Sequence, residues 1–209
     1  MFKTEIYVTQ YPDVDELLKL TADVIQNLPF SQLNNEIVWR RPPFPTGTES
    51  TSMHAWLNNP KHPPEFLHQR EDFKNIVAFI EHHAKNYWVG MGYDKTITPY
   101  LDNCWAMRYA GHAGGLDNHN HPNIPIAGAM YFDACPEQGN LVFQDPLDLM
   151  LSMNPYLPWS RNSRLKDVDV TTGKLILFPG WLNHSVMPNK TDKPRYNISL
   201  EIKAGPKST

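Results

Sequence analysis

Cysteine is scarce: Cys104 and Cys135 are the only two in 209 residues, too few for a disulfide framework and without the spacing of a thiolate metal site. Both read as reduced thiols, and a cytoplasmic location is expected. No uninterrupted apolar run approaches the length of a membrane span. Met1 to Gln10 also lacks a basic stretch followed by an apolar one, so neither membrane insertion nor a cleaved leader is expected. Positive charge is not in excess either. Lys and Arg number 19 against 22 Asp and Glu, a formal charge of −3, which removes the electrostatic basis for stable binding to nucleic acid or anionic lipid. Glycine is outnumbered by proline, 11 to 19. That ratio suits short strands and ordered loops better than a helical bundle.

What is present is enough apolar material for a core. Hydrophobic residues make up 41% of the chain and aromatics 11%, and the length fits a single domain over residues 1–209. Phe2 to Thr9 alternates as a strand does. After Pro12 and Asp13, the residues Val14, Leu17, Leu18, Val24, Ile25 and Leu28 carry helical periodicity. Asn34 to Pro64 is proline-rich and polar, and reads as irregular loop. A second amphipathic helix is expected over Glu71 to Tyr87, with Phe73, Ile76, Val77, Ile80 and Ala84 on one face. His82 and His83 fall on its solvent side. His54, His62 and His68 have no partner pattern.

Beyond Tyr93 short β-prone runs follow one another: Cys104 to Tyr109, Ile126 to Asp133, Gly139 to Gln144, Val168 to Thr171, Lys174 to Phe178, His184 to Met187 and Arg195 to Lys203. Asp145-Pro146 reads as the end of one of them. Strand after strand without helical interruption predicts a mainly β fold with supporting helices. The expected architecture is a double-stranded β-helix of the jelly-roll or cupin kind over residues 101–205, with helical support and loops over residues 1–100. The stretch from Leu147 to Lys166 is long for a hairpin connection and is a candidate substrate lid.

Asp117-Asn118-His119-Asn120-His121-Pro122 sets two imidazoles two residues apart. On an extended strand such residues face the same way with Cα atoms about 7 Å apart, within reach of one metal ion. His184 follows 65 positions after His119, and two ligands on an early strand with one on a late strand form a facial set if those strands adjoin. Imidazole nitrogen suits iron(II), with the opposite face open to further ligands. Beside this stands the plainer reading of each histidine as a surface or satisfied polar group. Asp117 competes with His121 as third ligand, since in a strand it shares their face. His121 is favoured because Gly114 and Gly115 suggest that Asp117 still lies in a turn.

The surrounding text is more specific. Ile126-Ala127-Gly128-Ala129-Met130-Tyr131-Phe132, Gly139 to Pro146, Gly173 to His184 and Arg195-Tyr196-Asn197-Ile198-Ser199 occur in that order. Together they resemble the 2-oxoglutarate and iron(II)-dependent oxygenases of the H-x-H-P type found in marine phages and bacteria, over about Asn103 to Lys203. The resemblance implies that His119 and His184 bind iron(II), with His121 standing where relatives usually have Asp or Glu. It further implies that Arg195 pairs with the distal carboxylate of 2-oxoglutarate. Asn197 and Tyr131 would supply further polar contacts there, with Trp105 nearby. Tyr109, His112 and Trp181 are candidates for the pocket mouth, and equally for wall or surface. The activity implied is a dioxygenase that uses dioxygen and 2-oxoglutarate, hydroxylates a small-molecule or peptide substrate and releases succinate and carbon dioxide. Two other readings remain open: a cupin-like three-histidine metalloenzyme that does not use 2-oxoglutarate, and a non-catalytic β-sandwich that binds a partner. The sequence does not bear on oligomeric state.

Overall fold

Side-chain alternation decides which face each strand of the core presents, and in this chain it sorts two kinds of surface. The computed structural model describes residues 5–33, 47–58, 63–147 and 165–205. Within them run β1 (Tyr7–Gln10), α1 (Val14–Asp23), β2 (Ser31–Gln32), β3 (Thr48–Ser50), α2 (Met53–Asn58) and α3 (Lys74–Gly90). There follow β4 (Pro99–Tyr109), β5 (Leu116–His119), β6 (Ile126–Asp133), β7 (Leu141–Gln144), β8 (Leu165–Val168), β9 (Lys174–Pro179), β10 (His184–Val186) and β11 (Arg195–Ala204).

The strands pair antiparallel into a sheet of order β1-β9-β6-β11-β4-β3-β2 and a smaller sheet of order β5-β10-β7-β8. This is the double-stranded β-helix expected from the sequence. On the outer face of the larger sheet, Met130 and Phe132 of β6, Leu175 and Leu177 of β9, and Ile198 and Leu200 of β11 pack with Leu17 of α1 and Ile76 and Ile80 of α3. On its inner face, Ala129 and Tyr131 of β6 and Ile176 and Phe178 of β9 meet Leu141 and Phe143 of the smaller sheet. One face therefore carries helices, and the other encloses space between the sheets.

The supporting helices follow their sequence cues with local differences. Asp13 caps α1, its carboxylate accepting the Glu16 N–H at 2.9 Å, as a side-chain N-cap does. The expected continuation to Leu28 is broken at Val24 (φ −123°, ψ −62°) and resumes as a 3₁₀ turn over Ile25–Asn27. The second helix begins with a 3₁₀ turn over Glu71–Phe73 and runs three residues past Tyr87. His83 is not simply solvated, because its Nδ1 lies 2.7 Å from the Tyr7 hydroxyl of β1.

Three strand expectations need correction. Of the expected opening strand Phe2 to Thr9, residues 2–4 lie outside the described residues, and the strand among those described is Tyr7–Gln10, paired with β9. The run Val168 to Thr171 is β-prone, yet the strand is Leu165–Val168, because Leu141 opposes Val168 and the pairing extends backward through exposed Lys166 and Asp167. Thr171 and Thr172 then turn towards Gly173, whose N–H donates to the Tyr131 carbonyl at 2.8 Å. The segment Asn34 to Pro64 is not all irregular. β3 pairs with β4, and α2 follows it, although residues 34–46 and 59–62 lie outside the described residues. Most of the Leu147 to Lys166 stretch also lies outside them.

Leu17 is fully buried and its neighbour Leu18 is 40% exposed, so truncating each tests the helix–sheet interface directly. Leu17→Ala is expected to lower the free energy of urea unfolding by about 2–5 kcal/mol, and Leu18→Ala to stay within about 0.5 kcal/mol of the parent.

Candidate metal centre

β10 lies between β5 and β7, with His184 directly opposite His119 on one side and Phe143 on the other. That pairing brings the His119 and His184 rings to 4.2 Å between centroids. His121 arrives differently from the expectation. The strand ends at His119, and His121 belongs to the loop after it. There its N–H donates to the Gly180 carbonyl at 2.8 Å, and its own carbonyl accepts from the Ile124 N–H at 3.3 Å. Its ring stacks on His184 at 5.4 Å, 6° from parallel. One ligating nitrogen from each of His119, His121 and His184 lies within 4.8 Å of the others, so this trio can hold a metal ion. Asp117 is in β5 rather than in a turn, and its carboxylate is not part of the cluster.

The outward nitrogens fix the tautomers. Backbone carbonyls only accept, so Nδ1–H of His119 donates to the Asp117 carbonyl at 2.8 Å and Nδ1–H of His184 to that of Leu182 at 2.9 Å. Nδ1 of His121 meets Oε1 of Glu201 at 3.0 Å. With each Nδ1 engaged, Nε2 is the unprotonated nitrogen in the neutral ring and the one a metal takes. Burial, reinforced by His119, holds the His184 imidazole well below its usual pKa. Burial works to raise the Glu201 carboxyl, but the hydrogen bonds from His121 and Asn103, with the positive charge of Lys203 nearby, hold it below the usual carboxylate range. Glu201 went unremarked in the sequence. The available signal was alternation, because Arg195, Asn197, Ser199 and Glu201 fall on the face of β11 opposite its core residues Ile198 and Leu200.

Arg195 is fully buried. Its Nη1 donates to the carbonyls of Gln138 at 2.7 Å and Gly139 at 2.6 Å, and its guanidinium carbon lies 4.2 Å from the Tyr109 ring centroid and 6.0 Å from that of Tyr131. Gly139 has φ +92°, and a Cβ there would strike the Met187 carbonyl, so only glycine presents that carbonyl to the guanidinium. Nε and Nη2 of Arg195 have no partner among the described residues. A buried cation with unused donors is costly unless an anion completes it. Burial pushes the Tyr109 hydroxyl up to about 12 and raises that of Tyr131, in both cases against the pull of Arg195.

A cavity of about 510 Å3 opens onto the histidines, with Arg195 packed against Tyr109 of its wall. All three histidines line it, as do Tyr131, Asn197 and Trp105, whose ring is 6.4 Å from that of His121. Tyr109 is wall, as one reading allowed. His112 and Trp181 are not among the lining residues. His112 instead contacts Asp192 at 2.6 Å, and Trp181 is 52% exposed.

A two-sheet β-helix with three converging imidazoles and a buried, half-used guanidinium has the parts of a metal-dependent enzyme, and comparison gives the family it resembles. Residues 103–201 match the family model described as "Putative 2OG-Fe(II) oxygenase". Over that segment the chain is similar to the 2-oxoglutarate and iron(II)-dependent oxygenases, and the cofactor set that goes with the likeness is iron(II) with 2-oxoglutarate and dioxygen as cosubstrates. The donor set fits, with imidazole nitrogens for the metal and unpaired guanidinium donors for a dicarboxylic acid.

No curated protein sequence matches the chain. Solved structures similar to it include HygX from Streptomyces hygroscopicus with nickel and 2-oxoglutarate bound (TM-score 0.58, 12% identity, 95% of this chain and 82% of that one). Another is a prolyl-4-hydroxylase from Pseudomonas putida (0.59, 12%, 96% and 94%). A third is SnoN, a non-haem α-ketoglutarate-dependent epimerase from nogalamycin biosynthesis (0.62, 12%, 95% and 78%). At these identities the likeness is one of fold. No helix among the described residues is long and apolar enough to cross a membrane.

The loop that delivers His121 depends on Gly180, where an added Cβ would collide with the Ile124 carbonyl and crowd that of His121. Gly180→Ala is therefore expected to weaken manganese(II) binding, read by calorimetry, by roughly 10- to 100-fold. Gly90→Ala on α3, where a Cβ meets nothing, leaves it unchanged.

Proposed function

We propose that the chain is a 2-oxoglutarate-dependent hydroxylase in which His119, His121 and His184 hold iron(II). Arg195 grips the distal carboxylate of 2-oxoglutarate through Nε and Nη2, while Tyr109 covers the guanidinium and the two carbonyls hold its other edge. Asn197 and the Tyr131 hydroxyl complete the polar lining at that end. Bound iron(II) supplies dioxygen activation coupled to decarboxylation of 2-oxoglutarate to succinate and carbon dioxide, with the second oxygen atom going to substrate. The chain's own part is to orient and to exclude water. The tautomers of His119 and His184 are set by backbone carbonyls, so their Nε2 atoms need no proton transfer before binding metal. Apolar Leu33, Met53, Met107 and Trp105 in the cavity wall suit a small-molecule or peptide substrate with an apolar portion.

The observation that carries this reading is Arg195. A three-histidine metalloenzyme without 2-oxoglutarate, or a non-catalytic sandwich, has no use for a buried guanidinium with two unpaired donors packed against Tyr109 and Tyr131 of the cavity wall. In an anaerobic titration of metal-free protein, iron(II) followed by 2-oxoglutarate is expected to produce a weak visible charge-transfer band at one equivalent of each. Its absence would contradict the reading. His119→Ala is expected to abolish 2-oxoglutarate consumption. Arg195→Ala should retain iron(II) but need at least about tenfold more 2-oxoglutarate for half-saturation, from the loss of charge-assisted hydrogen bonds. An unchanged requirement would remove Arg195 from the cosubstrate site. With ¹⁸O-labelled dioxygen, label is expected in both succinate and product. Label in succinate alone would overturn hydroxylation while keeping the cosubstrate.

A further inference from the structure

Of the three imidazoles, two donate Nδ1–H to backbone carbonyls, which carry no charge, whereas His121 donates to a carboxylate. His121 is also the residue that stands where an Asp or Glu ligand is usual in the resembling oxygenases. We propose that Glu201 is the carboxylate of this metal centre, held one hydrogen bond behind the ion through His121 rather than on it. The inference rests on the metal site proposed above and assigns Glu201 as a positioning residue.

Charge gives the physical reason. Three neutral imidazoles leave an iron(II) centre at +2, whereas two imidazoles and a carboxylate leave +1. Glu201 brings the cluster back to +1, and by drawing on the Nδ1 proton it makes Nε2 of His121 a stronger donor. The surroundings favour this over a solvated surface charge. Glu201 is 22% exposed at its side chain and lines the cavity with Trp105 and Asn103, the Asn103 amide donating to its Oε2 at 3.5 Å. The nearest lysine along the strand, Lys203, directs its ammonium to Asp102 at 2.7 Å and reaches Glu201 only through its charge. The pairing of β11 with β4 slips between Glu201 and Ile202, where Asp102 is the extra residue. Such a bulge re-aims the side chains beside it. One strand face thus carries Arg195 for the cosubstrate and, six residues on, Glu201 for the metal.

Glu201→Gln keeps an acceptor for Nδ1–H and removes the charge, and Glu201→Ala removes both. Anaerobic calorimetry with manganese(II) and with iron(II) is expected to give dissociation constants raised by about 10- to 100-fold in the Ala variant, with a smaller rise in the Gln variant. In the iron(II) and 2-oxoglutarate complex of the Gln variant, the charge-transfer band moves to shorter wavelength, because a less electron-rich metal gives up its electron less readily. Asp192→Asn, which alters only the exposed His112 contact, leaves both readouts at the parent values. If the Ala variant does not fold, the Gln variant alone decides. A Gln variant with the parent's metal affinity and band position overturns the role of Glu201 while the metal site stands. Parent protein whose metal binding is unaffected by His119→Ala overturns the site itself.

Discussion

The three-residue strand β10 places His184 opposite His119, and the metal site depends on that single register. Because side chains alternate on a strand, a slip of one residue would turn the His184 ring away from the space between the sheets. So short a strand has few ladder bonds of its own, and its neighbours hold it. The Gln144 N–H donates to the Asn183 carbonyl and the Met187 N–H to that of Asn140, both at 2.9 Å. Two side-chain amides add to this, with Asn118 donating to Gln144 at 2.8 Å and Asn120 to Asn183 at 2.9 Å. The ring of His184 packs on Phe178 at 4.5 Å between centroids, which fixes its depth. The chain then turns at Gly180 and uses that glycine's carbonyl to hold His121, so the one connection between β9 and β10 positions two of the three imidazoles.

β11 organises the other half of the site by the same alternation. Tyr196, Ile198, Leu200 and Ile202 face the helices, and their burial anchors the strand on a rigid support. Arg195, Asn197, Ser199 and Glu201 face the opposite way. A buried guanidinium is tolerable here because two carbonyls and an aromatic face meet it, and the donors left over are those assigned to the cosubstrate carboxylate in the proposed function. Those two unpaired donors are a cost to stability that a bound anion would remove. Glu201, at the far end of the same face, has its complement in His121.

Much of this was legible in the chain before its folding was known. Strands rich in Val, Ile and aromatics between Gly, Pro and Asn gave the β core, and β6 falls on the residues expected, Ile126–Asp133. The histidines were visible because their residue type is rare and their spacing chemical. What could not be read was context supplied by distant residues. That β5 stops at His119 follows from its pairing with a three-residue partner, and nothing local marks it. The carbonyls of Gln138 and Gly139 are hydrogen-bond partners of Arg195 without any side-chain signature. Tyr109 became a cover for the guanidinium through the β4–β11 register, which sets it opposite Arg195. Glu201 was missed for the same reason, since its role appears only when His121, 80 positions away, is brought against it.

The central claim is that His119, His121 and His184 share one ion, and anomalous diffraction from crystals loaded with manganese(II) tests it most directly. The account predicts one strong peak at bonding distance from Nε2 of all three rings, with the His121 Nδ1 still on Glu201. A peak coordinated by only two of them, by Nδ1 atoms, or elsewhere in the cavity would contradict it.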